Sequence, residues 1–270
     1  MALKTETITT LGEYMTVVER LMNSGAPVWY RGAGRASHTL TPSLYRHPNK
    51  SSAEDYAELE SKILQRFRER SIPYQRPPMG SEEEREWEML FVMQHFGVPT
   101  RLLDWTENPH VGLFFALTSA PFDYDDNVAH EDACVWAMLP EAWNRHALAD
   151  ISYPGEILSV GSPQLKWYMP SGDFGLQRKI PVAMWGLHNS PRIVAQRGVF
   201  TIFGNHTDPM EKVLVDTPFD SDTLVKLIIP AATVGPLLAA VSRIGITDSV
   251  IYPDLGGLAM ELKRHYGYRV

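Results

Sequence analysis

The chain of 270 residues contains one cysteine, Cys134. That excludes an internal disulfide framework, and a lone thiol fits a reducing, cytoplasmic setting. Positive charge is also in short supply: 25 Lys and Arg stand against 32 Asp and Glu, a formal net charge of -7. No global basic field exists to attract nucleic-acid backbones, so such a contact would need a local patch. No stretch approaches the roughly 18 to 20 consecutive apolar residues of a membrane span, and no membrane partner is expected. The first residues, MALKTETITTLGEYM, lack a charged start followed by an apolar run, and no secretory signal is expected. The histidines show neither H-x-x-x-H nor H-E-x-x-H spacing and no Cys-His pairing, so no metal site is expected. G-x-S-x-G and the phosphate-loop signature are missing. RGAGRAS at 31–37 supplies only G-x-G without a capped helix behind it, which argues against a dinucleotide fold of the Rossmann type.

What is present is 44% hydrophobic residues, enough for a sizeable core. Apolar spacing predicts an amphipathic helix over 11–23 capped by Thr10, a buried strand at VWY (28–30) ending at Arg31-Gly32, and a helix over 52–70. A loop with Pro73, Pro77, Pro78 and Gly80 follows. Ser81 and Glu84 form a capping box that opens a helix closed by Gly97, and Asn108-Pro109 opens a second, very apolar helix. Between them TRLLDWTE reads as a tight bend against the core. DYDDN at 123–127 reads as an acidic loop, 133–139 as a strand, and the proline-spaced stretch to about 190 as irregular surface structure. Residues 192–204 read as a hairpin-like strand pair broken at Arg197-Gly198. A buried strand at 225–230, helices at 233–245 and 254–267 and a strand at SVIYP between them complete the pattern. Strands and helices without strict alternation predict an α+β fold, a single domain with central mixed or antiparallel sheets flanked by helices.

Three polar clusters sit at the ends of apolar elements: YRG at 30–32, QHFGVPTRLLDWTENP at 94–109 and RIVAQRGVF at 192–200. Each has a purely architectural reading, in which Arg101 and Asp104 pair to lock a turn, Trp105 fills core, His95 is a satisfied structural histidine and Gln196 bonds to nearby backbone. Taken together they favour a shared site, because desolvating several polar groups is costly unless they pair with one another or with a ligand.

The order WYRGAG, TPSLYR (41–46), FVMQHFGVPTRLLDWTENPHVGLFFAL (91–117), RIVAQRGVFTIF (192–203) and GITDSVIYPDLGGLAMEL (245–262) resembles the FRG domain family, named for an aromatic-Arg-Gly motif in which Tyr30 here replaces phenylalanine. The resemblance divides the chain into an N-terminal helix packed on the domain (1–24), an FRG domain (25–262) and a C-terminal end (263–270). More distantly, VWYRG and LDWTENPHVGLFFA are similar to the first two motifs of ADP-ribosyltransferases of the arginine-serine-glutamate type, with Asp104-Trp105-Thr106 in the S-T-S place and Gln196 where the catalytic glutamate is expected.

That second resemblance implies an ADP-ribosyltransferase-like fold, with NAD as substrate and a protein or nucleic-acid acceptor. By analogy with small transferase toxins it also implies a prokaryotic toxin or anti-phage role and an antidote protein. Arg31, His95, Asp104 and Gln196 are then the catalytic candidates, and Tyr30, Arg31, Gly32, Arg101, Trp105 and Thr106 the NAD-binding ones. A guanidinium clamps a pyrophosphate in two-pronged fashion, Arg31 first and Arg101 second. A carboxylate stabilises the oxocarbenium-like transition state. A glutamine cannot, so the carboxylate would come from Asp104, Glu107, Glu156 or Asp173. The faces of Trp105 and Tyr30 offer stacking surfaces. Two other readings stand beside this one: a non-catalytic nucleotide-binding or interaction module, and a metal-dependent nuclease built on Asp104, Glu107 and a loop acid.

Overall fold

The computed structural model describes residues 3–74, 81–123, 128–172, 180–187, 190–216, 219–220, 222–268 and 270. In chain order the elements begin β1 (Lys4–Thr7), α1 (Leu11–Met22), β2 (Trp29–Ala33), α2 (Ala53–Ser71), α3 (Glu82–His95), β3 (Leu102–Thr106) and α4 (Pro109–Thr118). They continue β4 (Phe122–Asp123), β5 (Val128–Ala129), β6 (Ala133–Met138), α5 (Pro140–Ala147), β7 (Val182–Trp185), α6 (Pro191–Gln196) and β8 (Gly198–Ile202). The last are α7 (Met210–Asp216), β9 (Leu224–Ile229), α8 (Ala231–Arg243), α9 (Asp248–Ile251) and α10 (Leu255–His265).

The fold is α+β, built on one seven-stranded sheet in the order β1-β9-β6-β2-β3-β8-β7. The sheet is mixed: β1 runs parallel to β9 and the other neighbours are antiparallel. Residues along β6 alternate between two cores. Cys134, Trp136 and Met138 join the one that includes residues of α2, α3 and α5, while Ala133, Val135 and Ala137 join the one formed with α1, α4 and α8. Helices cover both faces, and β6 is buried at every position.

The local signals act as expected at most helix ends. Thr10 with Glu13 and Ser81 with Glu84 form capping boxes, Ser52 caps α2, Asn108 caps α4 with Pro109 in its first turn, and Gly97 adopts φ 74° where α3 stops. Five expectations are corrected. TRLLDWTE is a central strand, because β3 pairs along its whole length with β8. Residues 191–196 are a helix: Ser190 caps it, Pro191 opens it, and Arg197 at φ 46° ends it before β8 begins. SVIYP holds the short helix α9 rather than a strand. The irregular middle contains α5 and β7, and β2 runs on past Arg31-Gly32 to Ala33. Gly80, Pro77, Pro78, most of DYDDN and Asp173 lie outside the described residues.

The entry to β3 is held by a buried ion pair. Arg101 donates from Nε to both carboxylate oxygens of Glu60 on α2 at 2.9 and 2.8 Å, from Nη1 to the Phe203 carbonyl at 2.8 Å, and from Nη2 to the Tyr168 carbonyl at 2.7 Å. The two side chains are 2% and 4% exposed. Burial, the largest single influence, lowers the guanidinium's proton affinity, but the Glu60 charge, Tyr45 and the hydrogen bonds from both together outweigh it and hold Arg101 above its ordinary value. Removing one partner strands a buried charge. Arg101→Ala is therefore expected to cost about 3–5 kcal/mol in urea unfolding, and the double change Arg101→Met with Glu60→Met to recover most of that loss. A loss below about 1 kcal/mol for the single variant would show that the pair ties nothing together.

Candidate functional site

The strand ladders explain why a cleft opens where it does. β2 pairs with β6 over five residues and β3 with β8 over five, yet β2 and β3 meet only at Tyr30–Thr106. Beyond that pair the two central strands part. Arg31 spans the gap, its Nη1 donating to the Asp104 main-chain carbonyl at 2.6 Å and lying 3.9 Å from the carboxylate. The cleft, of about 260 Å³, is lined by Arg31, Asp104, Gln94, His95, Arg192 and Gln196 with neighbouring apolar residues.

Asp104 presents an exposed carboxylate, with 57% of its side chain in solvent. Gln94 on α3 donates to it from Nε2 at 2.7 Å, and Gln94 is itself oriented by the Thr100 hydroxyl. Burial draws the proton affinity of Arg31 down, and Asp104 opposes that while Arg46 adds to it. The side chain is still 27% exposed, and a guanidinium remains charged across the accessible pH range. His95, at the end of α3, is also held below its ordinary value, first by burial and then by the Arg192 charge, against the raising effect of Asp104. Arg192 lies over the Tyr252 ring at 4.7 Å, and Phe115 meets the same ring edge-on.

The structure brings most sequence candidates to one place but changes several roles. Arg101 is sealed on the other side of β3 with Glu60, pairs with neither Asp104 nor the cleft, and is unavailable to a pyrophosphate. The Tyr30 and Trp105 rings are 1% and 3% exposed, and the Trp105 indole donates to the Thr201 hydroxyl, so neither presents a face for stacking. Thr106 is buried, donating to the Gln196 carbonyl and accepting from the Asn108 amide. Gly32 is required by packing: a Cβ there would sit 2.2 Å from the Gly112 carbonyl of α4, while a Cβ at Gly112 would meet that of Tyr30 at 2.7 Å. Gln196 does line the cleft, but its Nε2 donates to the Ile251 carbonyl at 3.2 Å. Asp104 is the cleft's acid; Glu107 and Glu156 do not line it.

Gln94 and Arg192 were within reach of the sequence. Arg192 lies four residues before Gln196, which shares a helix face only once Ser190-Pro191 is read as a helix start. Cys134 is buried, and burial pushes its thiol up to about 11, which removes it from nucleophilic chemistry at neutral pH. Among the described residues no three of His, Cys, Asp and Glu come together to hold a metal ion, and no helix is long and apolar enough to cross a membrane.

An α+β domain with a polar cleft between two parting central strands is the class this geometry defines. Residues 26–124 match the model of the FRG domain family. The match spans β2 through α4 and with them Arg31, Gln94, His95 and Asp104; Arg192 and Gln196 reach the cleft from outside it. No curated protein and no solved structure matches the chain.

The surroundings of His95 set a testable sign. Its NMR titration midpoint is expected below the ordinary histidine value near 6.5. Asp104→Asn should move the midpoint further down by removing the charge that raises it, and Arg192→Gln should move it up. Shifts of the opposite sign would mean that His95 faces neither group.

Proposed function

We propose that the cleft binds NAD and breaks its nicotinamide–ribose bond, an ADP-ribosyltransferase-like reaction on an ADP-ribosyltransferase-like fold. The observation that carries this reading is the pairing of an exposed carboxylate, Asp104, with the Arg31 guanidinium at the gap between β2 and β3. Departure of nicotinamide leaves positive charge on the ribose, and an oriented carboxylate opposes it where a glutamine would not. Asp104 takes that role, held by Gln94 and Thr100. Arg31 binds the pyrophosphate, and Arg192 serves as the second cation in place of Arg101. At about 260 Å³ the cleft is slightly smaller than pockets that engulf a whole ligand, so it receives the nicotinamide riboside end while the adenosine half lies along the rim. The acceptor is a protein or nucleic acid, and the setting is a prokaryotic toxin or anti-phage effector in the cytoplasm, held in check by an antidote protein.

A second reading has its own support. Gln196 spends its amide on the Ile251 carbonyl, as it would in a nucleotide-binding module that performs no chemistry. The two separate cleanly with purified protein and labelled NAD. Transfer predicts nicotinamide release that falls at least about 100-fold in Asp104→Asn while the melting temperature holds, and falls as far in Arg31→Gln, where a lowered melting temperature accompanies loss of the bond across the sheet opening. A binding module predicts that NAD raises the melting temperature of the native chain with no nicotinamide released. Release undiminished in both variants would remove this cleft as the site. Growth arrest on expression in bacteria, relieved by Arg31→Gln at unchanged protein level, is the expected mark of the toxin setting.

A further inference from the structure

α10 contributes almost nothing to either core. Of its eleven residues only Gly257 is buried, pressed so closely on the Tyr252 carbonyl that a Cβ would lie 1.9 Å from it. The opposite face carries Leu255, Leu258, Leu262 and, just past the helix end, Tyr266, with 83%, 43%, 48% and 70% of their surfaces in solvent. At about 100° per residue these four and Ala259 fall in one stripe roughly 100° wide. A stripe of that width is what a helix offers to another element, and leaving it in water forfeits the hydrophobic contribution of three leucines.

The spacing of the stripe says what covers it. Run antiparallel against a copy of itself, it pairs Leu258 with Leu262 of the partner subunit and Leu255 with Tyr266 of the partner subunit, and the reciprocal pairs form automatically. That is the self-complementarity a two-fold interface requires. Charge agrees. Asp254 and His265 lie at opposite ends of α10 on the same flank of the stripe, so the antiparallel arrangement brings each Asp254 toward His265 of the partner subunit, while the two helix dipoles oppose. The back of the helix is already occupied: Arg264 grips Asp248 at 2.9 Å, and Glu261 accepts from Ser249.

We infer that α10 is the dimerisation face of this chain, packing antiparallel against α10 of a second copy. One short helix pair buries less than the roughly 800 Å² per partner of a standard interface, so the dimer belongs to the weak, concentration-dependent class. The face stands directly behind the cleft wall, because α9, on which α10 rests, supplies the Ile251 carbonyl to Gln196 and is followed by the Tyr252 ring under Arg192. The inference does not depend on what the cleft does.

Sedimentation of the full chain from about 1 to about 300 μM tests it. The native protein should shift from monomer to dimer over that range. Leu258→Asp and Leu262→Asp should stay monomeric at every concentration with an unchanged melting temperature, since exposed positions seldom contribute to stability. A native chain that remains monomeric throughout overturns the inference, even if another protein proves to bind α10, and so do Asp variants that dimerise as before. Orientation is read by disulfide formation: mixed Leu258→Cys and Leu262→Cys chains should cross-link faster than either alone. Fastest linkage of Leu258→Cys to itself would overturn the antiparallel arrangement.

Discussion

Where two neighbouring strands of a sheet separate, the main-chain groups facing the gap lose their ladder partners, and something must replace them. Arg31 does so here. Its Nη1 meets the Asp104 carbonyl at 2.6 Å just past the one residue pair that joins β2 to β3. The guanidinium therefore keeps the sheet continuous across its own opening and at the same time delivers a cation to the opening. The Asp104 carboxylate is fixed by the same bond through its own backbone. Cleft and fold share one hydrogen bond, so the chemistry of the site and the closure of the sheet cannot be varied independently.

The surroundings keep that gap in place from both sides. On one face Gly32 lets α4 approach until the Gly112 carbonyl occupies the space of a side chain, which fixes β2 just where it leaves β3. On the other, the buried Arg101–Glu60 pair and the carbonyls of Phe203 and Tyr168 fix the start of β3 three residues before Asp104. An ion pair this deep returns little net stability, since desolvation takes back most of the attraction. Its consequence is geometric: α2, β3, the exit of β8 and the turn at 163–168 converge on one planar group with a fixed set of donors.

Much of this was legible because the signals are local. Caps at Thr10, Ser52, Ser81 and Asn108 each act through one or two neighbouring amides, and the FRG-like motifs contain Arg31, Gln94, His95, Asp104, Arg192 and Gln196 of the cleft. What escaped depends on distance in the chain. β1 reads KTET, polar at every position, and is a strand only because β9 offers it an edge. α5 and β7 hide among prolines, held by Asn144, whose amide bonds both the Ala183 main chain and the Glu156 carbonyl. Arg101 and Asp104 sit three residues apart in one motif, which made them look like partners. In an extended strand each takes the partner on its own side, Glu60 for one and Arg31 for the other, and no count along the sequence reveals that.

The position of Gln196 bears on where the cleft can hold negative charge. The Gln196 side chain is turned to the Ile251 carbonyl, where a carboxylate would be repelled by the oxygen rather than accepted. A glutamate could not make this contact unless it were protonated. Holding α6 to α9 and holding a negative charge at the cleft wall are thus incompatible demands on one residue, and the chain satisfies the first. Asp104 lies across the cleft with no such obligation. Its carboxylate is exposed, its orientation comes from the Gln94 amide, and its backbone alone carries the structural bond to Arg31. At Asp104 charge and architecture are divided between the side chain, which faces the cleft, and the main chain, which meets Arg31, while Gln196 binds α6 to α9.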